Sequence, residues 1–343
     1  MATHLVTGGA GFLGAHTARA LHARGERVRV LDILPAPELP AGIEYLRADV
    51  LDAARVAEAM AGVDVVHHHA ALVPLTKAGR RLWRVNVDGT QQVLDAARAA
   101  GVKFFIHVST SAVFGRPERC PITDDTPLRP LEDYGRAKLA GEERVAAAAR
   151  AGLACAIVRP RTLVGVGRLG IFQILYEWVW EGRRVYVIGD GNVPFQLLHA
   201  GDLVDLLLRL AERRRPGVYN VGAERFGTLR EDLGALIRHA GTAARVVGVP
   251  AGLAIPALRA LDWLRLSPLA PWHYLTYHTA FFFDISRAVR ELEWRPRYGN
   301  AEMLVESYDW FLAHRDSADA AGARSAHRSA VPEKLLRVLR RLS

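Results

Sequence analysis

Two side chains four residues apart, Tyr134 and Lys138, could together move a proton. They open a predicted helix, and the four-residue spacing puts them on one helical face. A phenol must lose about three pKa units, or about 4 kcal/mol, to act as a base near neutral pH. One ammonium at about 4 Å, in an effective dielectric constant of about 20, supplies an interaction of that size. The pair is a candidate catalytic acid/base; the alternative, from the spacing alone, is an exposed Tyr and Lys.

Hydroxyl side chains end a predicted strand upstream of this helix, in Ser109-Thr110-Ser111. A hydroxyl at the end of a strand can share a hydrogen bond between a substrate oxygen and the phenol. Their position therefore strengthens the acid/base interpretation of Tyr134.

A glycine-rich segment after the first predicted strand has the spacing of a phosphate-binding turn. Gly8 permits the tight turn, Gly11 lets the backbone approach a diphosphate, and Gly14 lets the next helix pack against the strand. Phe12 and Leu13 belong to the glycine-rich segment, which leads into a predicted helix, Ala15 to Ala23, whose N-terminal N–H groups and dipole attract phosphate. The segment predicts a dinucleotide site, and a glycine-rich turn without a ligand is the alternative.

Acidic residues after the second and third strands indicate which dinucleotide binds. Asp32 can accept hydrogen bonds from the ribose hydroxyls and would repel a 2′-phosphate. Ile33 brings no compensating positive charge, so NAD is favoured over NADP. Asp49 and Val50 follow the third strand, where Asp49 could contact the adenine amino group; a solvated loop Asp is a comparable alternative.

Short apolar runs alternate with Ala-rich helical patterns through the first half of the chain, as in parallel βαβ units. We predict an α/β fold, a Rossmann-type doubly wound parallel sheet with a smaller interleaved α/β substrate-binding cap. Residues 1–160 form the predicted NAD-binding domain, with returning segments near 195–222, and residues 161–313 mainly form the cap. Residues 314–343 are predicted to be a disordered linker followed by a short basic amphipathic helix.

The 343 residues carry a formal net charge of +9, which suggests an anionic partner. The basic C-terminal helix could touch an anionic membrane surface, and no motif indicates nucleic acid. Two cysteines and the absence of a secretory signal or a spanning apolar run predict a cytoplasmic protein. No metal site is predicted, because successive side chains of the strand run His67-His68-His69 point to opposite faces.

These segments together resemble an extended short-chain dehydrogenase/reductase of the NAD-dependent epimerase/dehydratase family. The resemblance spans about residues 2–313 and rests on motifs in sequence order: TGGAGFLG at 7–14, Asp32, Asp49, His69-Ala70-Ala71, Asn86-Val87-Asp88-Gly89-Thr90, STSAVFG at 109–115, YxxxK at 134–138, Arg159-Pro160, Gly189-Asp190-Gly191, His199, Asp202, Tyr219-Asn220-Val221-Gly222 and Leu292-Glu293-Trp294.

The resemblance implies roles for individual residues. Tyr134 would be the catalytic acid/base, and Lys138 would bind the nicotinamide ribose and lower the pKa of Tyr134. Thr110 would be the catalytic hydroxyl, with Ser111 as the alternative. The family pattern also implies a homodimer and further cofactor contacts from His69, Ala70, Ala71 and Asn86.

Departures from the family pattern narrow the expected chemistry. The dehydratases that the chain resembles carry an Asp-Glu pair where it has Ser111 and Ala112, which disfavours dehydration, and decarboxylation is disfavoured likewise. The expected reaction is proton transfer by Tyr134 with hydride transfer at a secondary alcohol or ketone carbon. A nucleotide-sugar 4-epimerase or reductase is the leading expectation.

Positions on the substrate side leave a second substrate class open. Thr162 stands where the family usually has Asn, and Phe195 where it usually has the Arg that clamps a diphosphate. With His199 they are the predicted substrate-binding residues. An apolar pocket would suit a sterol-like, 3β-hydroxysteroid-like or terpenoid alcohol, and a non-catalytic NAD-sensing protein is the alternative of another class. Four other cations could supply the missing charge: Arg161, Arg168, Arg183 and Arg184.

Overall fold

The computed structural model describes residues 1–36, 39–73, 79–263 and 271–315. The predicted C-terminal linker and basic helix lie, from residue 316 onward, outside the described residues. The strands in this part of the chain are β1 Thr3–Thr7, β2 Arg27–Asp32, β3 Glu44–Arg47, β4 Val65–His68, β5 Phe104–Val108, β6 Cys155–Pro160, β7 Leu163–Val164, β8 Arg184–Ile188, β9 Leu198–His199, β10 Gly217–Val221 and β11 Arg245–Val249.

The helices alternate with these strands, and two irregular turns accompany them. A π-helical turn, Arg84–Gly89, leads into the fourth helix, and a 3₁₀ turn, Ser111–Phe114, follows β5. The α-helices are α1 Phe12–Ala23, α2 Ala53–Met60, α3 Arg80–Trp83, α4 Thr90–Ala99, α5 Asp133–Arg150, α6 Ile171–Trp180, α7 Ala200–Arg213, α8 Leu229–Ala240, α9 Ala251–Trp263, α10 Pro271–Thr276, α11 Ser286–Leu292 and α12 Asn300–His314.

Seven strands form one parallel sheet in the order β10-β6-β5-β4-β1-β2-β3. In β1, Leu5 lies opposite Arg29 of β2 on one side and Val66 of β4 on the other. The strand order therefore reverses beside β1, and the crevice at such a point is where open α/β sheets bind ligands. The predicted Rossmann-type doubly wound sheet is confirmed.

Adjacent residues along each central strand face opposite layers of helices. Val6, Phe104 and Ile106 pack into the layer that contains α1 and α7, whereas Leu5 and Phe105 pack into the layer of α2, α4 and α5. All five side chains are completely buried. Helices thus cover both faces of the sheet, as an all-parallel sheet requires.

A second hydrophobic core lies outside the seven-stranded sheet and contains mostly residues of the segment that the sequence assigns to the cap. Strands β8 and β11 pair in parallel as a separate two-stranded sheet. Phe172 and Tyr176 of α6 pack in the same cluster as Phe281, Phe283 and Tyr308. These aromatic residues are buried, so they stabilise the cap itself.

Buried histidines lie on both sides of β4. His67 contacts His4 with 3.1 Å between their ring nitrogens, whereas His68 lies on the other face and contacts the Thr7 hydroxyl at 2.8 Å. His107 of β5 stacks on His68 with 5.4 Å between ring centroids. Burial holds the pKa of His67, His68 and His107 well below the usual value, because the charged imidazolium would lose its hydration.

The helices of the described residues are too short or too polar to cross a membrane.

Candidate functional site

A cleft of about 440 Å³ opens at the carboxyl ends of β1, β2, β4 and β5. It brings together most of the residues that the sequence predicts for a cofactor and substrate site. Those that line it are Gly8, Gly11, Phe12, Leu13, Gly14, Asp32, Asp49, Val50, His69, Ala70, Ala71, Thr110, Ser111, Tyr134, Lys138 and Thr162.

The glycine loop leaves the start of α1 open to the cleft. Gly8 has a φ of +70°, and its amide donates to Leu31 O at 2.8 Å. A Cβ on Gly14 would lie 2.2 Å from Gly8 O, so only glycine lets the helix pack this closely on the loop. Gly11 caps the helix without a side chain, and the first turn carries no acidic residue. The first N–H groups of the helix therefore remain available for a diphosphate.

Asp32 holds its carboxylate at the end of β2, beside the glycine loop. One carboxylate oxygen accepts a hydrogen bond from Ala10 N at 2.9 Å and the other from Leu34 N at 3.0 Å. Burial raises the pKa of Asp32, and the backbone N–H groups oppose that rise. Each oxygen keeps a lone pair for a further donor. The arrangement fits the two ribose hydroxyls of NAD.

Asp49 lies farther along the same cleft and is held by a cation. One of its carboxylate oxygens accepts from Leu51 N at 3.0 Å, and the other lies 3.1 Å from Arg81 Nη2. The carboxylate is partly exposed, so it remains accessible to a ligand amino group.

Tyr134 and Lys138 both reach the cleft from the first turns of α5. The Thr110 hydroxyl lowers the pKa of the Tyr134 phenol and accepts a hydrogen bond from Ala112 N at 3.2 Å. Lys138 Nζ donates to Val108 O at 2.7 Å and lies 3.3 Å from His107 Nε2. The phenol, the hydroxyl and the ammonium thus share one end of the cleft.

Burial shifts the pKa values of both Tyr134 and Lys138. Burial raises the pKa of Tyr134 to about 12, and the hydrogen bond from Thr110 only partly offsets this. Burial also lowers the pKa of Lys138 to about 8, because the ammonium is removed from water. The Lys138 ammonium donates to Val108 O, and its lowering of the pKa of the phenol stays a prediction.

A buried ion pair positions α5 against the sheet. The Arg159 guanidinium at the end of β6 contacts the Glu142 carboxylate of α5, with 2.6 Å between Nη2 and Oε2. Ser109, which precedes Thr110, also donates to Glu142. A Cβ on Gly135 would lie 2.7 Å from Ala112 O, so the glycine lets the helix approach the hydroxyl turn. Sequence reasoning missed Glu142, although it lies four residues after Lys138 on the same helical face.

Arg161 is the cation that lies beside the hydroxyl turn. Its Nη1 donates to Ser111 Oγ at 3.1 Å and its Nε donates to Gln196 O at 2.9 Å. Arg161 and Arg168 both line the cleft, whereas Arg183 and Arg184 do not. Two of the four arginines suggested by the sequence are therefore at the site.

Three predicted site residues do not line the cleft. Asn86 hydrogen-bonds both the N–H and the C=O of Leu72, so it holds the loop after β4 rather than facing the cleft. Phe195 is buried in the cap core, where Arg161 lies over its ring. His199 contacts Glu306 through Nε2 at 2.7 Å, and its ring centroid lies 3.9 Å from that of Tyr298. The structure therefore gives these three side chains supporting contacts within the protein.

No group of three His, Cys, Asp or Glu side chains in the described part of the chain is arranged to hold a metal ion.

Comparison with known proteins extends these observations. A model of the NAD dependent epimerase/dehydratase family matches residues 4–222. An uncharacterised protein of Sinorhizobium fredii is 43% identical over 338 residues, which cover 98% of this chain and 85% of that protein.

Two curated relatives with assigned activities are more distant. A UDP-glucose 4-epimerase of Streptomyces lividans is 29% identical over 349 residues, covering 93% of this chain and 99% of that protein. A 3-beta-hydroxysteroid dehydrogenase of Mycolicibacterium neoaurum is 26% identical over 352 residues, covering 94% of each. The crystal structure of a UDP-glucose 4-epimerase from Thermotoga maritima with UDP-glucose shares the fold, with a TM-score of 0.76 at 23% identity over 91% of this chain and 99% of that one.

Proposed function

Because the chain belongs to the NAD dependent epimerase/dehydratase family, we propose that it is an NAD-dependent oxidoreductase acting on a secondary alcohol carbon of a nucleotide sugar. The observation that carries the proposal is that Tyr134, Thr110 and Lys138 line one cleft together with the glycine loop. A 4-epimerase or a reductase fits this arrangement, because both need only a phenol, a hydroxyl and the cofactor.

The residues of the cleft fit NAD. The loop from Gly8 to Gly14 and the start of α1 would hold the diphosphate, and Asp32 would accept from the ribose hydroxyls. Asp49 would lie by the adenine and Lys138 by the nicotinamide ribose. NAD bound there supplies the reversible two-electron oxidation of the alcohol carbon.

Proton transfer falls to Tyr134. In the oxidative direction the Tyr134 phenolate takes the proton of the substrate hydroxyl, and in the reductive direction the phenol returns a proton to the substrate oxygen. Thr110 would bind the same substrate oxygen and so fix its distance from the phenol. With a pKa of about 12 in the protein alone, Tyr134 carries its proton at neutral pH, as the reductive direction requires. Its action as a base requires additional positive charge in the cleft, part of which Lys138 carries below its pKa of about 8.

The residues after Thr110 support redox chemistry rather than elimination. Ser111 and Ala112 carry no carboxyl group, and elimination of water needs its own acid and base beside the phenol. The Ser111 hydroxyl is buried and hydrogen-bonded to Arg161. The relative named UDP-glucose 4-epimerase supports a nucleotide sugar; the relative named 3-beta-hydroxysteroid dehydrogenase makes an apolar alcohol the competing outcome.

The experiment is a substrate panel with the NAD-loaded protein. UDP-, dTDP- and GDP-hexoses and a 3β-hydroxysteroid are each incubated with enzyme, and products are resolved by chromatography and by NADH absorbance. We expect conversion of a nucleotide sugar, and a loss of about 100- to 10,000-fold in kcat with Tyr134→Phe. Tyr186→Phe, on strand β8 of the cap, is the matched control.

Other outcomes would overturn the proposal. Turnover of the steroid alone would assign the chain to the apolar-alcohol class. NAD binding without turnover of any substrate, with Tyr134→Phe indistinguishable from wild type, would indicate a sensor.

A further inference from the structure

Arg161 is a buried cation whose guanidinium is only partly bonded. The residue is 2% exposed, and its hydrogen bonds to the described residues come from Nε, to Gln196 O, and Nη1, to Ser111 Oγ. Nη2 is buried and has no hydrogen-bond partner in that part of the chain. Aromatic rings cover the guanidinium, with its carbon 4.0 Å from the Phe281 centroid and 4.9 Å from that of Phe195.

The charge of Arg161 is not balanced by a carboxylate. In the described ranges of the chain no Asp or Glu oxygen lies within 4.0 Å of its nitrogens, whereas the neighbouring Arg159 contacts Glu142 at 2.6 Å. Burying an ion without a partner of opposite charge is costly, and rings stacked on a guanidinium offset only part of that cost. A buried guanidinium that lacks a carboxylate partner indicates that its counter-ion arrives with a ligand.

Two donors converge on the same place in the cleft. Because Ser111 Oγ accepts from Arg161, its own proton remains free to be donated. Nη2 of Arg161 supplies the second donor, and both residues line the cleft with Tyr134 and Thr110. A pair of donors with positive charge and no nearby carboxylate suits an oxyanion.

We propose that Arg161 and Ser111 form a subsite for an oxyanion substituent of the substrate, a carboxylate or a phosphoryl group. Since Ser111 follows Thr110 directly, the subsite lies next to the carbon that Tyr134 acts on. The inference rests on the proposed function in placing a substrate in this cleft. Arg168 does not share the role, because its Nε and Nη1 donate to the carbonyl oxygens of Leu163 and Leu169.

The test measures ligand affinity of the NAD-loaded protein by isothermal titration. UDP-glucose, UDP-glucuronate, UDP and inorganic phosphate are titrated into wild type, Arg161→Met, Ser111→Ala and the exposed control Arg184→Met. We expect Arg161→Met to weaken the oxyanion ligand by about 10- to 100-fold, Ser111→Ala to weaken it less, and Arg184→Met to leave it unchanged.

The ligands separate the two sources of the oxyanion. A loss confined to UDP-glucuronate assigns the subsite to a sugar carboxylate, and an equal loss for UDP, UDP-glucose and UDP-glucuronate assigns it to the diphosphate. If wild type binds neither sugar nucleotide, the nucleotide-sugar function fails. The subsite then stands only if phosphate raises the melting temperature of wild type and not that of Arg161→Met.

A structural role for Arg161 gives a different result. If the subsite exists to meet a ligand, the ligand-free Arg161→Met protein melts no lower than wild type, since an unbalanced buried charge has been removed. Unchanged affinity for all four ligands would overturn the proposal. A melting temperature of Arg161→Met lowered by several degrees, combined with wild-type affinity of Ser111→Ala, would also overturn it.

Discussion

The Arg159 guanidinium holds the Glu142 carboxylate in a two-point contact, with 2.6 Å from Nη2 to Oε2 and 3.0 Å from Nε to Oε1. Both side chains are almost completely buried. The contact joins the end of β6 to the helix that carries Tyr134 and Lys138. Ser109, which follows β5 and precedes Thr110, also donates to Glu142 and so connects that strand to the ion pair. The acid/base residues are therefore positioned by an ion pair that touches none of them directly.

Removing one partner of this pair should destabilise the fold strongly. Arg159→Met leaves the Glu142 carboxylate buried without its cation, at a cost of about 3–5 kcal/mol in the free energy of unfolding. Urea unfolding measures the effect. The double variant Arg159→Met/Glu142→Leu should recover much of the loss, because no buried charge remains unpaired. A double variant as unstable as the single one would contradict this account.

Tyr134 should remain protonated in the ligand-free protein well above neutral pH. Burial raises its pKa to about 12, so at about pH 10 the phenolate absorbance of wild type and Tyr134→Phe should be equal. Thr110→Val should raise the pKa further, because the hydrogen bond from Thr110 lowers it. Ultraviolet titration measures both values. A phenolate at about pH 8 that Tyr134→Phe abolishes would contradict the prediction.

Glu132, which directly precedes the first residue of α5, should make stability depend on pH near neutrality. Burial and the nearby Asp133 raise its pKa to about 7, Arg136 opposes the rise, and Asp262 of α9 adds to it. The folded chain therefore holds the proton more tightly than the unfolded chain. This contribution to stability is complete below about pH 4.5 and is lost as the pH rises through about 7.

Glu132→Gln should remove that dependence and stabilise the protein at about pH 8 by about 1–3 kcal/mol. Urea unfolding at about pH 5 and pH 8 provides the measurement. Glu143→Gln, at an exposed position of the same helix, is the control. Equal pH profiles for wild type and Glu132→Gln would show that the carboxyl does not titrate near 7.

Asp32 should set the preference for NAD over NADP. In Asp32→Asn the carbonyl oxygen can still accept a backbone hydrogen bond, but the charge that repels a 2′-phosphate is lost. We expect NAD to bind about 10-fold more weakly and the ratio of the NAD and NADP dissociation constants to shift toward NADP. Isothermal titration of both cofactors measures this, with Asp95→Asn on α4 as the control. An unchanged ratio would assign the discrimination to other residues.

Local patterns predict the parallel sheet, the glycine turn before α1 and the helix that carries Tyr134 and Lys138, because each depends on residues close in sequence; the catalytic and binding roles of these residues stay predictions. Gly14 lets α1 pack closely on Gly8, which lies nearby in sequence, and Tyr134 and Lys138 share a face of one helix. The unexpected features depend on tertiary burial. The high pKa of Tyr134 and the enclosure of Arg161 by Phe281 arise from packing that spacing does not encode. The homodimer and the cytoplasmic location stay predictions.

Unfolding exposes the histidines that are buried in the sheet and allows them to bind protons. His67, His68 and His107 stay neutral in the folded chain because burial depresses their pKa values, but each regains its ordinary value, near 6.5, once exposed. Below about pH 6.5 the unfolded chain therefore binds up to three more protons. Stability should fall on acidification by up to about 4 kcal/mol per pH unit. Acid unfolding would then be a steep transition in which several protons are taken up at once.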